Sequence, residues 1–245
     1  MCIPTVTIPQ LLYGLISYDN SISFGCCMAQ MSFYVIFGTT EGFLLALMAF
    51  DRYQAICKPL HYPTVMTNKF VFILPLLCWT PGTCVSSIYI YFLLNTQFCG
   101  KNKVQYYFCD YSAILALACT DVFIADIFSL AISMTIMNMI FICILASYGK
   151  IILVIKAASS ESRWKAFSTC ASHLFVLLIL IMVGVFVFIS YRLPNFSDND
   201  RIISAVFQNI VPPLANPIIY CFKTKEIRDS FLKILKKYKI TVVKF

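Results

Sequence analysis

Five long stretches of this chain contain no aspartate, glutamate, lysine or arginine, and they constrain its fold more than any other feature. These stretches are residues 1–18, 70–100, 127–149, 166–191 and 202–222. In a sixth stretch, 20–50, Glu41 is the single charged residue. Because about 20 mostly apolar residues cross a bilayer as a helix, we expect these stretches to span a membrane. Charged residues make up 12% of the chain, against about 25% in soluble domains, which agrees with this expectation.

The predicted fold is all-α, a multi-pass bundle of transmembrane helices. The apolar–polar alternation of a membrane barrel is missing, and helices satisfy every backbone hydrogen bond within lipid. The predicted spans are residues 1–17, 22–54, 70–93, 122–149, 166–191 and 201–222, of which the first is too short to be complete. Together they make a bundle over 1–222. The tail, 223–245, has apolar residues at helical spacing between lysines, which predicts a basic amphipathic helix along the inner membrane surface.

Basic residues are distributed unevenly between the two sides of the predicted membrane. If the end of the second span that carries Asp51 and Arg52 faces the cytoplasm, 15 of the 19 basic residues lie on cytoplasmic segments. The remaining four are Lys101, Lys103, Arg192 and Arg201. Since cytoplasmic loops are enriched in lysine and arginine, we predict a cytoplasmic C-terminus. The net charge of +8 then reflects membrane topology, and we expect no nucleic-acid binding.

Four cysteines fall on the predicted outer side, where the environment is oxidising. Cys99, Cys109 and Cys119 lie at ten-residue intervals before the 122–149 span, and Cys27 lies near the start of the 22–54 span. Four cysteines allow three pairings, and their spacing does not choose among them. The two histidines of the chain have no cysteine or carboxylate neighbours at ligand spacing, so we expect no metal site.

The inner end of the second span is a candidate functional site. Asp51 and Arg52 lie where hydrocarbon meets water, and a charge at that depth is costly unless it is paired or functional. The surrounding stretch, 48–62, reads Met-Ala-Phe-Asp-Arg-Tyr-Gln-Ala-Ile-Cys-Lys-Pro-Leu-His-Tyr. Four shorter motifs follow in order: Ser-Tyr at 147–148, Lys-Ala-Phe-Ser-Thr-Cys-Ala-Ser-His-Leu at 165–174, Pro-Pro-Leu-Ala-Asn-Pro-Ile-Ile-Tyr at 212–220, and Lys-Thr-Lys-Glu-Ile-Arg at 223–228.

This ordered series of motifs resembles that of the olfactory (odorant) receptors, a family of rhodopsin-like G-protein-coupled receptors. The resemblance covers nearly the whole chain, and the stretches 40–42 and 225–228 look most like the fish branch. The family has seven helices, whereas this chain would lack helix 1 and part of helix 2, so we expect an N-terminally truncated receptor. A second departure is Ala215, where the family usually has leucine.

The resemblance implies a switch for G-protein coupling and two disulfides. The implied switch residues are Asp51, Arg52, Tyr53, Tyr148, His173, Asn216, Pro217 and Tyr220. The implied disulfides are Cys27–Cys109 and Cys99–Cys119, which would shape a lid over the outer mouth. From charge position alone, Arg52 is equally well explained as an interfacial arginine that reaches the lipid head groups. Ordinary kink packing likewise remains an alternative for the Asn-Pro step at 216–217.

The predicted ligand pocket lies in the outer half of the bundle. By helical register, the inward residues are Val35, Gly38, Thr39, Gly42, Ile132, Ser133, Ile136, Gly184, Val185, Phe188, Val206 and Asn209. Most are apolar and a few carry hydroxyl or amide groups, which suits a small, weakly polar ligand, although helix packing explains any one of them equally well. Glu41 lies about three turns deeper than Arg52 and is either a neutral buried acid or part of an ion site.

One function is favoured over its alternatives. We expect an odorant-sensing receptor at the plasma membrane that binds small volatile or water-borne odorants and activates a stimulatory olfactory G protein. A transporter or channel would have paired intramembrane charges and internal repeats, and neither is evident. A non-signalling fragment or pseudogene product is the other alternative, and the missing first helix favours it. No nucleophile, acid–base or metal constellation converges, so we expect no enzymatic activity and no cofactor.

Overall fold

The computed structural model of the chain describes residues 2–17, 21–100, 103–104 and 106–157, together with shorter pieces beyond residue 173. Those pieces are 174–175, 177–179, 182–183, 186, 196–197, 200, 202–211, 214 and 229–234. The chain divides into two compact units, Met1–Ala166 and Phe167–Phe245. Within the described residues, all regular structure is helical except for an isolated antiparallel bridge between Phe98 and Ala118. The all-α fold expected from the sequence is confirmed.

Seven helices occur in the described part of the first unit. In chain order they are α1 (Ile3–Ser17), α2 (Phe24–Cys57), α3 (Tyr62–Val65), α4 (Asn68–Leu77), α5 (Trp79–Leu94), α6 (Tyr111–Leu115) and α7 (Phe123–Ala157). Only Cys78 separates α4 from α5, and the two form one apolar helical segment, Asn68–Leu94. In the second unit, α8 covers Ile202–Val211.

Within the part of the chain that the structure describes, three helical segments are long and apolar enough to cross a membrane: Phe24–Cys57, Asn68–Leu94 and Phe123–Ala157. α2 has 34 residues and α7 has 35, which at about 1.5 Å per residue makes each helix about 50 Å long. Because the hydrocarbon core of a bilayer is about 30 Å thick, both helices extend beyond it. Large apolar side chains such as Phe72 of α4 and Ile142 of α7 are exposed, as lipid contact requires.

Local chemistry explains where α2 begins and ends. The Ser23 hydroxyl accepts a hydrogen bond from the N–H of Cys26 at 3.3 Å and so caps the first turn. α2 ends at Cys57, two residues before Pro59, which has no N–H with which to continue the helix. α2 therefore starts two residues later and ends three residues later than the stretch 22–54 suggested.

α2 is the central helix of the first unit, because it packs along both α5 and α7 and also contacts α1. It approaches α5 closely at Gly82, where a Cβ would come within 2.8 Å of the Ile36 carbonyl oxygen. A cluster of buried side chains joins the start of α2, the end of α5 and the loop that follows. The cluster comprises Cys27, Met28, Met31, Val85, Tyr89, Leu93, Cys109, Tyr111, Ile114, Leu115 and Ala125. The 95–122 loop is therefore part of the packed core.

Candidate functional site

Asp51 and Arg52 form an ion pair near the end of α2. We call residues 51–57 of α2 the Arg52 end. The Arg52 guanidinium lies 3.2 Å from Oδ2 of Asp51. The other carboxylate oxygen, Oδ1, accepts a hydrogen bond from the Tyr62 hydroxyl at 2.9 Å. Both charged side chains are partly exposed, Arg52 at 43% and Asp51 at 27%. Asp51 therefore holds Arg52 with one oxygen and α3 with the other.

Tyr62 reaches Asp51 because the chain turns sharply after α2. Pro59 prevents the helix from continuing, and Pro63 lies in the first turn of α3, where its missing N–H costs no hydrogen bond. The hydrogen bond to the Asp51 carboxylate raises the pKa of the Tyr62 phenol, since that bond exists only in the protonated form. Tyr62 closes the 48–62 motif but is not among the switch residues that the family resemblance implied.

The other predicted switch residues are spread along the chain. Tyr53 lies beside Lys58, whose ammonium is 5.8 Å from the centre of the tyrosine ring. Tyr148 of α7 is buried, with 5% of its surface exposed. His173, Asn216, Pro217 and Tyr220 lie outside the described residues. Of the predicted switch residues that the structure describes, Asp51 and Arg52 contact each other, and Tyr62 joins them as a third residue that was not predicted.

Two disulfides fasten the 95–122 loop at the opposite end of α2. Cys27 is bonded to Cys109 with their Cα atoms 5.3 Å apart, and Cys99 is bonded to Cys119 with theirs 5.6 Å apart. These are the two pairs that the family resemblance implied. Cys26, next to Cys27, is a free and exposed thiol. We call this region, residues 22–35 of α2 with the 95–122 loop, the disulfide end.

Aromatic rings from the loop cover α2 at the disulfide end. Phe108 is only 4% exposed, and its ring centroid lies 4.5 Å from that of Tyr34. Tyr106 and Tyr107 contact the same Phe108 ring, with centroids at 4.9 and 4.8 Å. We call these four residues the aromatic layer. Tyr34 precedes the predicted pocket residue Val35, but helical register alone did not select it.

A pair of stacked tyrosines joins the loop to α5 and α7. The rings of Tyr89 and Tyr111 stack with centroids 4.1 Å apart. The Tyr89 hydroxyl shares a 2.8 Å hydrogen bond with Oγ of Ser133 and contacts the Ser129 carbonyl at 3.3 Å. Burial raises the pKa of the Tyr111 phenol to about 12. Ser133, predicted to line the pocket, therefore already has a hydrogen-bond partner on α5.

Three other predicted pocket residues pack against the protein itself. Val35 of α2 and both Ile132 and Ile136 of α7 lie against the buried cluster at the disulfide end. Thr39 is half-buried on α2. Val35, Ile132 and Ile136 therefore contribute to the packing of the disulfide end.

The two predicted pocket glycines on α2 have different surroundings. A Cβ at Gly42 would lie 2.8 Å from Cδ1 of Ile140, so this glycine allows α7 to approach α2 closely. A Cβ at Gly38 would lie 3.9 Å from its nearest neighbour, Cδ1 of Ile3 on α1. Gly42 is thus a packing position between helices, and Gly38 has room for a side chain.

The remaining predicted pocket residues belong to the second unit. In α8, Asn209 is buried with 4% of its surface exposed, and Val206 is half-buried. Gly184, Val185 and Phe188 lie outside the described residues.

Two adjacent polar residues, Thr40 and Glu41, lie in the middle of the largely apolar helix α2. Glu41 is partly buried there, and its neighbour Thr40 is 3% exposed with a hydroxyl that has no hydrogen-bond partner. In the described part of the chain, no group of three or more His, Cys, Asp or Glu residues is arranged to hold a metal ion. Glu41 lies on the same helix as Arg52, about three turns before it.

Comparison of the sequence with known proteins assigns the chain to one family. The family model described as "Olfactory receptor" matches residues 1–238. Olfactory receptor 6B1 of Homo sapiens is 40% identical over 230 residues, which are 94% of this chain and 73% of the relative. Olfactory receptor 6B9 of Mus musculus is 38% identical over 232 residues, with coverages of 94% and 73%. Olfactory receptor 1M1 of Mus musculus is 36% identical over 237 residues, with coverages of 96% and 75%. This chain belongs to the olfactory receptor family, whose members are multi-pass membrane G-protein-coupled receptors.

Proposed function

We propose that the chain is an odorant-activated receptor, which binds small volatile or water-borne odorants at its disulfide end and activates a stimulatory olfactory G protein at its Arg52 end. The observation that carries this proposal is the 3.2 Å ion pair between Asp51 and Arg52. It holds the arginine against its own helix, so Arg52 becomes available to a partner only when the pair opens. Membership of the olfactory receptor family supports the same function.

The restraint on Arg52 is weak enough for a ligand to release. Partly exposed ion pairs contribute roughly 0–1 kcal/mol, because water screens them. A ligand shifts such an equilibrium by its difference in affinity for the two states, and a few kcal/mol is within the reach of small molecules. The Arg52 end is therefore suited to a switch, whereas a fully buried ion pair would resist opening.

The same proposal sets the orientation in the plasma membrane. Both disulfides lie at one end of α2, and disulfides form on the oxidising, extracellular side. At the other end of α2, Cys57 is a free thiol and Lys58 and Lys69 follow it. These features support a cytoplasmic Arg52 end and, with the positive-inside rule, a cytoplasmic C-terminus. The basic tail, 223–245, would then lie along the inner leaflet.

We also propose that the chain belongs to the fish branch of the family. The support is the amino-acid sequence of residues 40–42 and 225–228. A phylogenetic tree that includes olfactory receptors from fish and from land vertebrates tests this, and grouping with the land-vertebrate receptors would contradict it.

The proposed function is tested by expressing the epitope-tagged chain in cells that contain the stimulatory olfactory G protein. We expect a cyclic-AMP response to at least one member of a broad odorant panel. The variant Arg52→Ala should abolish that response at equal surface density, whereas Lys69→Ala, a matched loss of an exposed basic residue, should retain it. A response that survives in Arg52→Ala contradicts the switch. A chain that never reaches the surface would instead favour a non-signalling product.

A further inference from the structure

One side chain, Gln30, links the two parts of the disulfide end to each other and to α1. It is 8% exposed on α2, one turn from Cys27. Its Nε2 donates a hydrogen bond to the Val6 carbonyl of α1 at 2.8 Å. Its Oε1 accepts a hydrogen bond from the N–H of Cys109 at 2.9 Å. Because the two ends of the amide have different partners, only one orientation of this side chain satisfies both.

The disulfide alone does not orient the loop. It holds the Cα atoms of Cys27 and Cys109 5.3 Å apart, but the bonds between them can still rotate. The hydrogen bond from Gln30 acts on the backbone of the same residue, in a direction set by the rigid α2. Cys109 is 3% exposed, so without this acceptor its N–H would be buried and without a partner. Together the two restraints define both the position and the orientation of Cys109.

The orientation of Cys109 controls the aromatic layer, because Phe108 directly precedes it. The Phe108 ring contacts Tyr34 of α2 and the rings of Tyr106 and Tyr107. A rotation at Cys109 would therefore displace Phe108 and alter each of these ring contacts. Gln30 itself does not belong to the aromatic layer.

We propose that Gln30 is a positioning residue for odorant binding, which holds the aromatic layer over the bundle by bonding Cys109 and α1 at once. This inference rests on the proposed function, because it takes the disulfide end as the end that binds odorants. Gln30 acts through Cys109 and Phe108 and needs no contact with the odorant. Its effect is on odorant potency, through the shape of the site.

Hydrogen–deuterium exchange of the full chain in lipid nanodiscs tests the positioning step without any ligand. Gln30→Leu removes both hydrogen bonds, and we expect exchange in the peptide that contains Cys109 to accelerate about tenfold. Gln30→Glu keeps the acceptor for Cys109 and should retain most of the protection. Gln10→Leu is the matched control, because the Gln10 amide donates to the Ser21 carbonyl at 3.5 Å and, among the described residues, makes no hydrogen bond to the loop. Unchanged exchange in Gln30→Leu would overturn the proposal.

Cyclic-AMP dose–response curves test the consequence for odorants. The probes are straight-chain aldehydes, straight-chain alcohols and benzaldehyde. The receptor variants are compared at equal surface density. We expect Gln30→Leu to raise the EC50 of every active probe about tenfold, and Gln30→Glu to be intermediate. A wild-type EC50 in Gln30→Leu overturns the proposal even if exchange is faster. If the wild type responds to no odorant, the proposed function fails, and the exchange result then decides the positioning of Cys109 by itself.

Discussion

The Tyr62 hydroxyl donates a 2.9 Å hydrogen bond to the same Asp51 carboxylate that holds Arg52. The four-residue helix α3 is thereby connected to the ion pair at the end of α2. An arginine that is held only by its neighbour in sequence would be released whenever that neighbour changed rotamer. Tyr62 fixes the Asp51 rotamer, so the restraint on Arg52 depends on a contact outside the transmembrane helix.

Replacing Tyr62 with phenylalanine is expected to raise the basal activity of the receptor. The change removes one hydrogen bond to a partly exposed carboxylate, worth about 1 kcal/mol, and so favours the released state of Arg52 about fivefold. Basal cyclic AMP per surface receptor is the measurement. Tyr91→Phe, at a tyrosine of α5 that is 65% exposed, is the control and should have no effect. Equal basal activity in both variants would show that Tyr62 does not restrain the switch.

Tyr111 is expected to stay protonated well above pH 10. Burial raises its pKa to about 12, whereas an unfolded tyrosine titrates at about 10. Since the folded pKa is the higher one, the stabilisation from the neutral phenol is complete below pH 10 and is lost as the pH rises towards 12. The tyrosinate absorbance of the wild type minus that of Tyr111→Phe should therefore rise near pH 12. A rise near pH 10 would mean that the 95–122 loop is not packed as described.

A methyl group at Gly82 is expected to destabilise the bundle. The Cβ of Gly82→Ala would lie 2.8 Å from the Ile36 carbonyl oxygen and 3.0 Å from its Cα, and both atoms belong to the α2 backbone. Because a helix backbone cannot yield as a side chain does, we expect a loss of about 1–3 kcal/mol in unfolding free energy.

The measurement for Gly82→Ala is thermal unfolding in detergent, with Gly149→Ala as its control. A Cβ at Gly149 of α7 meets no described atom within 4 Å, so that variant should be neutral or gain up to about 1 kcal/mol from the better helix propensity of alanine. If both variants unfold at the wild-type temperature, α2 and α5 do not cross as closely as described.

The sequence carried enough information to predict an all-helical fold, because long uncharged stretches leave few other possibilities in a membrane. It could not predict α6, a five-residue helix that begins where Asp110 caps the N–H of Ser112. The cap residue is visible in the sequence, but so short a helix depends on packing of Ile114 and Leu115 into the core. Such tertiary packing has no periodic signal.

Ser133 illustrates the same limit at the candidate site. Helical register predicts which face of α7 it occupies, but not whether its hydroxyl is available to a ligand. That depends on Tyr89, which lies 44 residues earlier on another helix. Similarly, cysteine spacing left three pairings open, and only the family resemblance chose between them. Contacts between distant residues thus decided what local patterns could not.

The two disulfides are expected to contribute unequally to stability. Removing Cys99–Cys119 by a double serine substitution opens a loop with a sequence separation of 20, which should cost about 3 kcal/mol. Removing Cys27–Cys109 opens one with a separation of 82 and should cost about 4–5 kcal/mol on the same entropic basis. The second loss is greater also because Cys27 and Cys109 belong to the buried cluster, where serine hydroxyls would lack solvent.

Denaturant unfolding of the purified receptor measures this order, with Cys26→Ser as the control. Cys26 is a free, exposed thiol beside Cys27, so its substitution changes neither a crosslink nor the core and should leave the midpoint within experimental error. Treatment of the wild type with a reducing agent should reproduce the combined loss of the two double variants, because the reagent breaks both bonds. An equal loss of unfolding free energy in the two double variants would contradict this order. It would mean that neither loop length nor burial makes Cys27–Cys109 the more stabilising disulfide.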